Sequence, residues 1–154
     1  MKLNIVEFNL EHHKTYEGFE YSKINISVDG TPLIYIMREI ELTMAKQEGE
    51  TATAGNYSSL PLPKFLIEHF LGEDDAVWGS SDDKTELLEC ICECPACWPL
   101  LCNIEVTNGI VIWKNFEQPN RSIDSHIHWD YSAFEGFCFD KALYLKALKQ
   151  IAAV

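Results

Sequence analysis

The sequence predicts a single α+β domain over residues 1–154, in which a mainly antiparallel sheet is covered by two or three helices. Three observations predict this class. Two segments near the N-terminus alternate apolar and polar residues, an Asn-Gly pair joins two later alternating segments, and two other segments have apolar residues at helical spacing. A chain of 154 residues can bury an ordinary core without disulfides.

The net charge limits the partners that the chain can bind. It is -12, from 24 acidic and 12 basic residues, and this argues against nucleic acid because phosphate binding relies on cationic side chains. An acidic surface would instead steer a basic protein partner toward the chain, although acidity also keeps a small protein soluble. Nothing in the sequence indicates an oligomeric state.

The N-terminal segment also bears on localisation. It reads MKLNIVEFNLEHHK, with acids and histidines where a signal peptide needs its apolar centre. No apolar run approaches the length of a membrane span. We therefore expect a cytoplasmic protein with no membrane association, and its six cysteines should be mostly reduced thiols.

The first two elements are predicted to be strands. Lys2 to Leu10 and Ile24 to Val28 both alternate apolar and polar residues, the period of a half-buried strand. The polar stretch His12 to Gly18 joins them. This order predicts an antiparallel pair.

The spacing changes after Asp29-Gly30 and predicts a helix. Four apolar residues then share one helical face: Leu33, Met37, Ile40 and Met44. Glu41 is predicted to lie off this face. Thr31-Pro32 supplies an N-cap and first-turn proline, and Gly49 can end the helix. The alternative is a hairpin turn at Asp29-Gly30 followed by another strand, but the length of the pattern favours the helix.

An irregular connection, a short helix and an acidic segment follow. Residues 50–63 are rich in turn formers, and Lys64 to Leu71 is predicted to be a short helix. The candidate partner-binding residues come next and combine acids with one tryptophan: Glu73, Asp74, Asp75, Trp78, Asp82 and Asp83. The alternative is that Trp78 folds back onto the core.

The second half of the chain is predicted to hold a strand, a hairpin and a final helix. Leu87 to Cys92 has strand character. Asn108-Gly109 is typical of a two-residue hairpin turn, which would pair Val106 with Val111 and Ile104 with Trp113. The segment 117–131 is loop-like, and Lys141 to Ile151 has a helical apolar face after a possible Asp140 N-cap.

Five of the six cysteines lie between Leu87 and Cys102, and four of them form the candidate metal site: Cys90, Cys92, Cys94 and Cys97. Thiolates are preferred ligands of zinc. If the chain stays extended through Cys94, the first three thiols share a strand face with Cα atoms about 7 Å apart, too far for a relaxed disulfide. Pro95-Ala96 must then turn the chain to bring Cys97 back toward Cys94.

Three interpretations of this cluster compete. The cysteines can pack as small buried hydrophobes near Trp98 and Leu100, bind a structural zinc ion, or include a redox or nucleophilic thiol. A zinc shell would be completed by His126 or His128, which share one face of an extended segment. Bound metal would clamp the preceding strand to the following hairpin.

The sequence favours binding over catalysis. It contains no glycine-rich phosphate loop, no GxSxG elbow and no HExxH helix, and no catalytic residue is assigned. The first hypothesis is a non-enzymatic protein whose acidic surface engages a basic partner, such as an immunity-type inhibitor of a basic toxin. The alternative is a small metal- or thiol-dependent enzyme that uses the Cys90–Cys97 cluster with His126 or His128.

Several motifs resemble those of a family of small uncharacterised bacterial proteins. They are CxCxxxxCWPL (Cys90 to Leu100), VxWxxFxQPxR (Val111 to Arg121), WDYSxF (Trp129 to Phe134), FxFDxxxYxxAL (Phe137 to Leu148) and the upstream VDGxxL and AGxY (Val28 to Leu33 and Ala54 to Tyr57). The resemblance implies a bacterial source and a shared single domain, but it does not indicate an activity. Cys94 is additional to the pattern, and Asn120 stands where the resemblance leads us to expect histidine.

Overall fold

A computed structural model describes residues 2–73, 84–94, 97–122 and 125–153 of the chain. Nine strands and three helices follow one another in this part, with single 3-10 turns at Thr51–Thr53 and Pro119–Arg121. In chain order they are β1 (Val6–Lys14), β2 (Glu20–Val28), β3 (Thr31–Pro32), α1 (Leu33–Glu48), β4 (Tyr57–Ser58), β5 (Leu60–Pro61), α2 (Leu66–Phe70), β6 (Thr85–Cys90), β7 (Leu100–Thr107), β8 (Ile110–Glu117), β9 (Phe137–Asp140) and α3 (Lys141–Ala152).

The strands form two antiparallel sheets, which confirms the α+β class. In the first sheet β1, β3 and β5 all pair with β2, and the second has the order β4-β6-β7-β8-β9. The N-terminal pair and the Asn108-Gly109 hairpin were expected in one sheet but lie in different ones. Strands β6 and β9 pair with the two outer edges of the hairpin, and a parallel bridge joins Asn4, which precedes β1, to Phe139 of β9.

The antiparallel pairing predicted for the first hairpin and the register predicted for the second are confirmed. In the first sheet Phe8 lies opposite Ile26, and in the second Ile104 lies opposite Trp113 and Val106 opposite Val111. The first connection is shorter than predicted, because His12 and His13 belong to β1. The stretch predicted to be irregular, 50–63, contributes the two short strands β4 and β5.

The C-terminal helix packs through its predicted apolar face against β1 of the first sheet and against β8 and β9 of the second. Asp140 caps α3 by accepting a hydrogen bond from the Leu143 backbone N–H at 3.0 Å. Trp113 donates its indole N–H to the Tyr144 hydroxyl at 3.1 Å, and this hydroxyl donates to the Phe70 carbonyl at 2.5 Å. The chain of bonds joins β8, α3 and α2 in the core.

Helix α1 matches the prediction in extent but not in its cap or its buried face. It ends at Gly49, which has a φ of +84°. Thr31-Pro32 is paired with β2, so no side chain caps the first turn. Glu41, predicted to lie off the apolar face, is fully buried on the face that also carries Leu33, Met37 and Ala45.

Glu41 is buried because three donors surround its carboxylate. The hydroxyls of Tyr57 and Tyr131 donate to it at 2.5 and 2.6 Å, and the Gly55 backbone N–H donates at 2.9 Å. Burial raises the pKa of Glu41 although these hydrogen bonds lower it. The carboxylate therefore ties α1 to two segments that are distant in sequence.

The described helices are 16, 5 and 12 residues long. None of them combines the length and the apolar character that crossing a membrane requires.

Candidate metal site

The thiol cluster begins where β6 ends. Cys90 is the last residue of β6, lies opposite Tyr57 and is only 6% exposed. The strand was predicted to continue to Cys92, but the chain turns at Ile91-Cys92 and Glu93 has a φ of +61°. The turn brings the Sγ atoms of Cys90 and Cys92 to 3.2 Å, far closer than an extended strand would allow.

Cys97 completes a group of three thiols. The Sγ atoms of Cys90, Cys92 and Cys97 all lie within 4.8 Å of one another. Cys94 is outside this group, and its thiol donates to the Cys92 carbonyl at 3.8 Å. The predicted turn at Pro95-Ala96 lies outside the described residues.

The segment that follows the cluster is held by packing and hydrogen bonds. Asn120, at the position where histidine was expected, donates its side-chain N–H to the Cys97 carbonyl at 2.7 Å. The Arg121 guanidinium lies 4.9 Å from the centre of the Trp98 ring, which packs edge-on against Trp129. Glu48 accepts the Arg121 Nε–H at 2.7 Å, so α1 fixes this side of the site.

The interpretation of the cluster as buried packing residues is wrong for three of its four members. Cys92, Cys94 and Cys97 are exposed, and Cys90 alone is buried. The turn after β6 carries the chain out of the core, so these thiols face solvent. Cys102, by contrast, is fully buried on β7, and burial raises the pKa of its thiol.

Hydrogen bonds within the cluster shift the pKa values of Cys92 and Cys97 in opposite directions. A hydrogen bond with Cys90, supported by the Cys94 backbone N–H at 3.4 Å, lowers the pKa of Cys92 to about 7. Hydrogen bonds with Cys90 and Cys92 raise the pKa of Cys97 to about 12. At neutral pH the Cys92 thiol is therefore partly ionised to the thiolate, whereas the Cys97 thiol stays protonated.

A buried lysine lies beside the turn that follows β6 and carries Cys92, residues 91–93, which we call the ligand turn. Lys23 of β2 is 1% exposed, and its Nζ lies 2.6 Å from the Ser58 Oγ, 2.9 Å from Glu89 Oε2 and 3.3 Å from Glu93 Oε1. Burial opposes its charge, but the two carboxylates raise its pKa above the usual value. The contact has no signal in the sequence, because alternation places Lys23 on the polar face of β2 but does not show that this face is covered.

The other predicted site residues lie apart from the thiols or outside the described residues. His126 and His128 are exposed and do not belong to the group of three cysteines, and His128 Nδ1 lies 3.2 Å from the Arg121 carbonyl. Glu73 is exposed. The remaining partner-binding candidates fall outside the described residues: Asp74, Asp75, Trp78, Asp82 and Asp83.

Neither a family model nor a curated protein nor a solved structure matches the chain. Within the chain itself, Cys90, Cys92 and Cys97 supply one ligand atom each and are close enough together to bind a metal ion. Thiolates select soft or borderline ions such as zinc.

Proposed function

We propose that the protein binds one zinc ion through the thiolates of Cys90, Cys92 and Cys97, as a structural centre. The observation that carries the proposal is the separation of the three Sγ atoms, all within 4.8 Å of one another. Two thiolates on a tetrahedral zinc ion are about 3.8 Å apart, since each Zn–S bond is about 2.3 Å. Binding would widen the 3.2 Å separation of Cys90 and Cys92 and would require only small shifts of the three Sγ atoms, which side-chain rotation can supply.

The centre would join two parts of the second sheet. Cys90 ends β6, and Cys97 lies three residues before β7 begins. A zinc ion would hold these ends together, and its binding free energy would add to the free energy of unfolding because the unfolded chain does not preserve the cluster. A water molecule or Cys94 would supply the fourth ligand.

Cobalt uptake tests the centre directly. We expect the reduced protein to take up one equivalent of Co²⁺ and to show the intense near-ultraviolet absorption of thiolate-to-cobalt charge transfer. C97S should lose more affinity than the ~10–100-fold that follows loss of an outer-shell partner, because a direct ligand is removed.

The matched control is C138S, which removes a thiol of β9 outside the cluster. It should bind cobalt as the wild type does. Failure of the wild type to take up cobalt, or equal binding by C97S and the wild type, would contradict the proposal.

A second candidate function rests on the net charge of -12. In this proposal the protein is a non-enzymatic, cytoplasmic binding protein whose acidic surface engages a basic protein, as an immunity-type inhibitor engages a basic toxin. We favour it over a metal- or thiol-dependent enzyme because neither His126 nor His128 belongs to the group of thiols. Such an enzyme would need a general base beside its thiol.

Salt dependence tests this second candidate. We expect a basic protein to copurify from the native host at low salt, and its association rate with the purified chain to fall about 10-fold or more between ~0.05 and ~0.5 M salt. D82N/D83N should slow association more than E17Q/E20Q, which makes the same charge change at exposed positions of the first hairpin. Recovery of no basic protein, or a rate insensitive to salt, would count against it.

A further inference from the structure

We propose that Lys23 is a positioning residue of the thiolate centre, which holds the ligand turn in place and offsets the negative charge of the bound site. The inference rests on the proposed zinc centre and adds to it a residue from the other sheet. Lys23 belongs to β2, whereas Cys90 ends β6.

The two carboxylates on Lys23 flank two of the ligands. Glu89 directly precedes Cys90, and Glu93 directly follows Cys92. Lys23 Nζ lies 2.9 Å from the first carboxylate and 3.3 Å from the second. A single ammonium group therefore holds the backbone on both sides of the Cys90 and Cys92 pair.

Glu93 shows why this contact matters for the turn. Its φ of +61° is in the left-handed region, which residues other than glycine, asparagine and aspartate adopt infrequently. Glycine would allow the turn equally well but would supply no carboxylate to Lys23. The ion pair gives a physical reason for glutamate at this position, since it draws the turn toward Lys23 and keeps Cys92 beside Cys90.

The charge of the bound site also calls for a cation. Three thiolates and one divalent ion leave a net negative charge, to which Glu89 and Glu93 add two more. Lys23 is 1% exposed, so solvent screens its attraction for these groups far less than it would at the surface. Its ammonium also donates to Ser58 at 2.6 Å, which orients it toward β6.

A purely architectural role for Lys23 predicts a different result from a role in the site. An ion pair that only joins the two sheets would stabilise the metal-free and zinc-bound proteins equally, so its loss would leave zinc affinity unchanged. A positioning residue makes zinc binding itself depend on the ion pair. The decisive quantities are therefore the zinc affinity of the folded protein and the rise in melting temperature that zinc produces.

The experiment measures Zn²⁺ affinity by competition with a chromophoric chelator, in the wild type and four variants. K23M and E93Q should each lose about 10-fold or more in affinity, as outer-shell substitutions do. K23R keeps the positive charge and should retain most of the zinc affinity of the wild type. K84M removes the lysine that pairs with Glu117 at 3.1 Å and should bind zinc as the wild type does.

The melting temperatures separate the two roles. Any of the four substitutions can lower the melting temperature of the zinc-free protein. Only K23M and E93Q should reduce the increase in melting temperature that zinc produces. If K23M fails to fold, E93Q decides the matter, because the Glu93 side chain is 49% exposed and outside the core. Unchanged zinc affinity in E93Q and K23M would overturn the role of Lys23 and leave the centre intact, whereas a wild type that binds no zinc would overturn both.

Discussion

Replacing Glu41 with alanine is expected to lower the free energy of unfolding by about 3–5 kcal/mol, because it leaves several buried donors without an acceptor. The hydroxyls of Tyr57 and Tyr131 and the Gly55 N–H all donate to this one carboxylate. The substitution also opens a cavity beneath α1, because Glu41 is fully buried. Urea unfolding of the purified protein measures the loss.

E39A is the matched control, since Glu39 is exposed on the same helix, and it should change stability by no more than ~0.5 kcal/mol. E41Q keeps the shape but offers a single acceptor oxygen, so its loss should fall between those of E39A and E41A. A loss in E41A no larger than in E39A would show that the carboxylate is dispensable for the fold.

The raised pKa of Glu41 adds a pH dependence with a definite sign. Because the folded protein holds this proton more tightly than the unfolded chain, the contribution of the group is greatest below its ordinary pKa of 4.5 and declines as the pH rises above it. The stability difference between the wild type and E41Q should therefore narrow from pH 4 toward neutral pH. A stability difference that widens from pH 4 toward neutral pH would show that folding lowers the pKa of Glu41 instead of raising it.

The hairpins were predictable from sequence because their signals are local. Alternation specifies which residues of β1 and β2 lie on the apolar face of the sheet, and Asn108-Gly109 fixes the register of β7 and β8. Strand β9 has four residues and β4 and β5 have two each, too few for a period to be recognised. These short strands occupy sheet edges, so missing them also hid the division into two sheets.

The site was predictable in its chemistry but not in its geometry. Zinc binding was one of three interpretations of the cysteine-rich segment, and three of the four candidate thiols come together. The turn at Ile91-Cys92 brings Cys92 beside Cys90, and the positive φ of Glu93 that follows it has no local signal because glutamate seldom adopts this conformation. Lys23 and Glu41 are polar residues whose partners lie far along the chain, so only the tertiary structure shows them to be buried.

Gly136 directly precedes β9, next to its pairing with β8. Replacing it with alanine is expected to lower the free energy of unfolding by about 3 kcal/mol or more. A Cβ at Gly136 would lie 2.0 Å from the Trp113 carbonyl oxygen, a backbone atom that no rotamer change can move. Relief requires β9 to shift against β8, which would break the pairing of Trp113 with Phe137.

Gly109 provides an unusually close control for this prediction. It has the same φ of +78° as Gly136, but a Cβ there would meet no atom within 4 Å. G109A should therefore cost only the ~1–2 kcal/mol of placing alanine in the left-handed region, and the excess loss in G136A isolates the steric contact with Trp113. Urea unfolding of both variants decides the matter. Equal losses would mean that backbone conformation alone determines the cost, and that β8 and β9 can separate at this point without penalty.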